Sequence, residues 1–287
     1  MCQVFQMMDA VITYVNGADP EWQKQYAAVA GKEPSKRFRD WGMLEWQVDS
    51  IRRFLPFINN IFLVVALPSQ VPAGLEKKVK VVLHKDIIPE QYLPTFNCNT
   101  IEMFLHRIGE MSDRYLYIND DCIPVAPSKE EDYFEGDKIC RGFARHLFAP
   151  NMFKKIVRHT DSVARKAAGV ASSLFFIRPQ HAPSPQIRSI GAEIMQKVEK
   201  DMLTSITPFR REHNVCNYVL PDYMYHTGKV KLQRLSCKHF SMGANTPAQL
   251  DAFLQAPDRK WICINDVEMS ESRRREFLEV IAKAASK

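Results

Sequence analysis

Asn119, Asp120 and Asp121 stand at the end of an apolar run, RYLYIND (114–120), and a second Asn-Asp pair, Asn265 and Asp266, closes another, KWICIN (260–265). Hard divalent ions such as Mg2+ or Mn2+ take oxygen ligands in ones and twos, and complete their shells with water and diphosphate oxygens. Two such strand ends brought together could close a metal site. Successive strand side chains point to opposite faces, so at most one of Asp120 and Asp121 turns inward unless the strand has already bent. An Asp-rich turn capping the next segment is the competing reading for each pair.

Other side chains carry chemistry less plainly. Asp9 opens the first apolar run, where a carboxylate is costly to bury unless it is paired; a surface residue starting a strand is the alternative. Arg39 and Asp40 could pair with each other on the surface or meet a ligand phosphate. Glu102 and His106 share an i, i+4 face, with Arg107 next to them, and could form a local ion pair or position a proton carrier. His181 is bracketed by Ala182, Pro183 and Pro185, a stiff segment in which a fixed imidazole suits general-base work, although a solvated loop histidine is equally compatible. Arg210 and Arg211 follow Pro208 and Phe209 and offer guanidinium forks for phosphate or for solvent.

These residues need a frame to converge on. Runs rich in β-branched and aromatic residues at 10–15, 60–66, 79–84 and 114–120 predict buried strands. Helical periodicity predicts helices over 43–54, 100–108 and 186–202, with a terminal helix from 270. Their alternation predicts an α/β fold, a mostly parallel sheet flanked by helices, with ligands at the carboxyl ends of its strands. Asn16 and Gly17 lie at the first such end and Asn119 at the fourth. Residues 137–166 are strongly basic and helix-prone, and suit a solvated face or one turned to an anionic ligand or a membrane.

With 287 residues, 46% of them apolar, the chain can bury a large core. It has no long uncharged apolar run and no signal-peptide pattern at its start, so a soluble cytoplasmic protein with at most peripheral membrane contact is expected. Seven scattered cysteines without a CxxC pair signal neither a disulfide frame nor a zinc site, and read as ordinary thiols. A net charge of +6 suits anionic substrates, and the base-reading modules of nucleic-acid binders are not evident, so no nucleic-acid partner is expected.

Taken in order, MDAVITYVNGADPEW (8–22), the stretch from RFRDWGMLEWQVDS through LPTFNCNTIEMFLHRI to YLYINDDCIPVAP (37–127), HAPSPQ through FRREHNVCNYVLPDYMYHTG (181–228) and KWICINDVE (260–268) resemble the Stealth family. That family includes bacterial capsule-polysaccharide phosphotransferases and the catalytic subunit of the lysosomal-enzyme GlcNAc-1-phosphotransferase. One departure is Asn214, which stands where the family usually carries an acid. The resemblance implies a Rossmann-like, glycosyltransferase-type sheet with a smaller helical subdomain. It implies transfer of a hexose-1-phosphate from a nucleotide-sugar to a glycan hydroxyl, the acceptor lipid-linked in one form, with Mg2+ or Mn2+ as cofactor. An ordinary glycosyltransferase releasing a nucleoside diphosphate, or a non-catalytic glycan binder, are the rivals. It further implies that Asp9, His181 and Arg210 are catalytic. Asp120, Asp121, Asn265 and Asp266 are then the metal set, and Asn16, Gly17, Arg39, Asp40, Asn97, Glu102, His106, Arg107 and Asn119 the donor-binding set. The expected organisation is a nucleotide-sugar-binding core at 1–136, a basic helical insert at 137–180 and a C-terminal part at 181–287 that completes the site.

Overall fold

A computed structural model describes residues 7–34, 38–265 and 267–286. Asp266 lies outside the described residues, as does Cys2. Four strands with continuous apolar sequence form the centre: β1 (Met8–Thr13), β2 (Ile58–Val65), β3 (Lys80–Leu83) and β4 (Arg114–Asn119). They run parallel in the order β4, β1, β2, β3, and the strand Ser184–Ile187 joins β4 as an antiparallel edge. Met8, Ala10, Val11 and Ile12 of the central strand are all fully buried, as a strand covered on both faces requires. Pro185 is tolerated because its strand lies at the edge. The expected mostly parallel α/β sheet is the one that forms.

Helices α1 (Pro20–Ala30), α2 (Leu44–Phe54), α3 (His84–Ile87) and α4 (Cys98–Met103) connect these strands. Asp19 caps α1 by accepting from the amide of Trp22 at 2.7 Å, and Asn97 caps α4 by accepting from that of Asn99 at 3.2 Å. Beyond β4 the chain turns at Asp120–Asp121 into β5 (Cys122–Pro124), which pairs antiparallel with the strand Trp261–Asn265; Cys237–Ser241 lies parallel on the other side of that strand. The amide of Ile264 donates to the carbonyl of Asp121 at 2.9 Å, so the late strand is laid directly against the strand-end turn.

Three sequence expectations change. The 100–108 helix ends at Met103 and continues only as a tight turn, Leu105–Arg107. The 186–202 helix begins at Arg188, since Gln186 is a strand residue whose side chain accepts from the Tyr115 hydroxyl at 2.6 Å. The basic insert is not wholly helical: Lys138–Arg141 and Phe143–His146 are strands, paired with Val230–Leu232 and Phe176–Pro179, before α5 (Met152–Ala168) begins. Those pairings come from distant parts of the chain and override local propensity. Buried Asp161 of α5 ties it to the helix Val219–His226 through His226 Nε2 at 2.7 Å, and meets Arg165 Nε at 3.0 Å.

Candidate active site

Parallel strands leave a crevice at their carboxyl ends, and here it is walled by Thr13 and Tyr14 after β1, Ala66 after β2, His84 after β3, and Asn119 and Asp120 after β4, with Arg210 closing one side. The turn after β1 pulls a loop over it. The Gly17 amide donates to the carbonyl of Phe38 at 2.9 Å, and a Cβ on Gly17 would lie 2.3 Å from that oxygen, so only glycine permits the approach. Asp40 thereby reaches the Tyr14 hydroxyl; burial first, then the Asp40 carboxylate, push the phenol's pKa far above its usual value. Asn16 is used locally, its side chain accepting from the amide of Ala18 at 2.9 Å. Arg39 is half-buried next to Asp40 in the chain.

The adjacent aspartates part company. Buried Gln47 of α2 donates from Nε2 to the carbonyls of Asn119 and Cys122, each at 2.7 Å, and clamps the turn between them. Asp120 faces the crevice. Burial, then repulsion from Asp121 and Asp40, raise its pKa to about 7. Oxygen donors from Asp120 and Asp40 fit a hard divalent ion.

Asp121 turns the other way. Its Oδ2 lies 3.6 Å from His181 Nε2 and accepts from the Cys263 thiol at 3.2 Å, while Oδ1 accepts from the Cys122 thiol at 3.4 Å. The ligating atoms of these four residues lie within 4.8 Å of one another. Such a nitrogen-and-sulfur set suits a softer ion better than Mg2+ or Mn2+. Burial disfavours both charges, yet the imidazole and the two thiols hold the Asp121 carboxyl below its ordinary value. Burial would likewise lower the pKa of His181, but Asp121 and Cys263 push it up to about 10. Asp121 and Cys263 thus favour the protonated form of His181. A bond from Cys122 lowers the pKa of Cys263, helped by His181 and opposed by burial.

Arg210 stands where the crevice meets a second lobe lined by Glu102, Tyr117, Phe153, Asn217 and His181. Its guanidinium donates to Cys98 Sγ at 2.7 Å; Cys98 first, then Glu102, hold it firmly charged although burial opposes this. Glu102 Oε1 accepts from the Tyr117 hydroxyl at 2.6 Å, and the Tyr117 hydroxyl also meets Thr13 Oγ1 at 3.0 Å and accepts from Asn119 Nδ2 at 3.4 Å. Burial raises the Glu102 pKa against the pull of Tyr117 and Arg210.

Several expected residues stay away. Asp9 is fully buried at the amino end of β1, about 13 Å of strand from the crevice. Its Oδ1 accepts from the Asn60 amide at 2.9 Å and its Oδ2 from that of Ser112 at 2.6 Å, so it is a staple between strands. His106 does not pair with Glu102, because the helix breaks between them and its Nδ1 meets the carbonyl of Met103 at 3.0 Å. Arg107 is exposed and lies over the Phe104 ring at 5.9 Å. Asn97 is buried, donating to Asn214 Oδ1 at 3.0 Å, and Asn214 donates to the carbonyl of Ser205 at 2.6 Å. The asparagine in the acidic position therefore fixes the Arg210 loop, and both amides are structural. Asn265 ends its strand opposite Ser241 and is exposed.

Two positioning residues escaped the sequence reading. Arg141, hidden within a basic run, is buried and donates to the carbonyls of Gln180 at 2.8 Å and Pro183 at 2.7 Å, gripping the loop that carries His181. Gln47 was legible in principle, as a lone polar residue on the face shared by Leu44, Val48 and Ile51.

Residues 37–141, which include α2, the strand-end turn and Arg141, match Stealth protein CR2, conserved region 2. The chain is 26% identical to a capsular polysaccharide phosphotransferase of Actinobacillus suis, over 92% of this chain and 78% of that one. It is 28% identical to the capsular polysaccharide phosphotransferase fcs1 of Haemophilus influenzae, over 92% and 79%, and 27% identical to WcwK of Streptococcus pneumoniae, over 92% of each chain. A solved structure of the galactosyltransferase LgtC with donor and acceptor sugar analogues covers 97% of this chain at 11% identity and a TM-score of 0.39, a likeness too distant to transfer residue positions. The match ends at Arg141, so His181, Arg210 and Cys263 lie outside it.

Proposed function

We propose that this chain is a sugar-phosphate transferase of capsule or exopolysaccharide synthesis, which moves a sugar-1-phosphate from a nucleotide-sugar to a glycan hydroxyl. The observation that carries the reading is that the strand-end crevice and the lobe lined by His181 share Arg210 and Asn119 as a common wall, with Asp121 3.6 Å from His181. In this reading the nucleotide takes the crevice, and Arg210 lies where a phosphoryl group would meet the second lobe. A hard divalent ion held by Asp120 and Asp40 would neutralise diphosphate charge there.

Arg210 grips the oxygens of the transferred phosphoryl group. The acceptor hydroxyl forms a bond to the phosphorus that bears the sugar, and its proton passes to the neutral form of His181. The bond from that phosphorus to the nucleoside monophosphate breaks, and the monophosphate leaves with the electron pair. Asp121 orients the imidazole and stabilises the imidazolium formed. Gln47 and Arg141 hold the two halves of this pair at a fixed spacing.

Binding of Mn2+, followed by electron paramagnetic resonance without substrate, tests the metal half of the reading. It should weaken in both Asp120→Asn and Asp40→Asn and persist in Asp121→Asn. Loss in the Asp121 variant alone would move the hard ion to the other side of the turn.

A further inference from the structure

Seven of the eleven large apolar side chains exposed among the described residues fall between 147 and 175. Six of them gather at one tip. Leu147 and Phe148 follow the strand Phe143–His146, Leu174 and Phe175 precede its partner Phe176–Pro179, and the pairing of His146 with Phe176 puts both pairs at the same end of the ribbon. Met152 and Phe153 form the first turn of α5, which Arg158 ties to the ribbon by donating to the carbonyl of Leu147. Phe148 is 75% exposed and Leu174 82%, so nothing among the described residues covers them.

The surroundings say what would. Residues 143–180 hold seven Lys and Arg against one acid, buried Asp161, an excess equal to the net +6 of the whole chain. Arg145 lies over the Phe175 ring at 4.5 Å and Arg158 over Phe176 at 5.0 Å. Among the described residues no carboxylate forms an ion pair with Arg145, Lys154 or Arg158. An exposed aromatic tip rimmed by uncompensated bases complements an anionic lipid surface, where the rings enter the headgroup region and the cations meet phosphate. Phe153 belongs both to this tip and to the lobe containing Arg210 and His181.

We propose that the 147–175 tip docks on an anionic phospholipid membrane, and that it thereby presents a lipid-linked acceptor to the cleft. The second half rests on the transferase reading; the docking does not. The full chain should float with vesicles of phosphatidylcholine and phosphatidylglycerol, and not with phosphatidylcholine alone. Phe148→Ser combined with Leu174→Ser should abolish flotation. Lys154→Ala should weaken it about fivefold, the loss expected for one basic residue near the surface. Release of nucleotide from a donor in solution should be unchanged in these variants. No flotation, or flotation indifferent to the substitutions, would overturn the proposal. So would a dimer in light scattering that the same substitutions dissociate, since a second copy would then cover the tip. Flotation without any donor turnover would leave the docking surface standing and remove the transferase reading instead.

Discussion

Replacing Asp121 with Asn removes one charge at nearly constant volume, and its consequence can be worked from the contacts. An ordinary imidazole has a pKa of 6.5, and His181 sits at about 10 because Asp121 and Cys263 outweigh burial. At about 1.4 kcal/mol per tenfold change in proton affinity, the neighbours favour the imidazolium by roughly 5 kcal/mol beyond what burial takes away, and the hydrogen bond to Asp121 is the largest of the favourable contacts. Asp121→Asn should therefore lower the pKa of His181 clearly below about 10, with Cys263 still holding part of the rise. Histidine NMR, with His181→Gln to assign the signal, reads this directly. As proton acceptor His181 must be neutral, so wild-type kcat/KM should climb with pH to near 10, whereas the variant should level off at lower pH with a limiting rate reduced on the order of a hundredfold. Linkage gives a second readout. The raised His181 pKa contributes stability that is full below 6.5 and lost as pH rises toward 10; the lowered Asp121 pKa contributes stability that is full above 3.8 and lost as pH falls below it. Wild-type stability from this pair is thus greatest between those values, and the variant should lose that feature. A His181 that still titrates near 10 in Asp121→Asn would refute the pairing.

Arg210→Lys should keep the charge yet lower kcat with little change in melting temperature, because an ammonium cannot grip two phosphoryl oxygens; if Arg211→Lys is the crippling change, the arginine is misassigned. Asp9→Ala should strip two buried amides of their acceptor and destabilise by roughly 3 kcal/mol, lowering Tm while folded enzyme keeps its turnover; a folded but inactive variant would return Asp9 to the chemistry. Gly17→Ala forces the Phe38 carbonyl to move and should raise the KM for donor more than it lowers kcat, as steady-state kinetics would show; an unaffected KM would separate the Asp40 loop from donor binding.

Much of the frame was legible because β1, β2 and β4 are buried on both faces and so read as unbroken apolar runs. Strand-end acids followed from that frame. Which way each acid turns did not, since the divergence of Asp120 from Asp121 depends on Gln47 and on a late strand that returns to lie against the turn. Cys122 and Cys263 face each other only through that strand pairing, so their meeting with His181 has no local sequence signal. Asp9 misled for a related reason: its residue type suits a site, and only the strand direction shows that it lies at the wrong end. The basic insert hid Arg141 among surface charges, although its burial sets it apart.

The central claim is that the bond broken is at phosphorus, and the identity of the released nucleotide tests it most directly. The chain, incubated with a panel of nucleotide-sugars and Mg2+ or Mn2+, should release a nucleoside monophosphate, with sugar-1-phosphate as the companion product when water replaces the acceptor hydroxyl. Asp120→Asn and His181→Gln should slow the appearance of both together. Release of a nucleoside diphosphate with free sugar, and no sugar-1-phosphate, would place the attack at carbon and contradict the account.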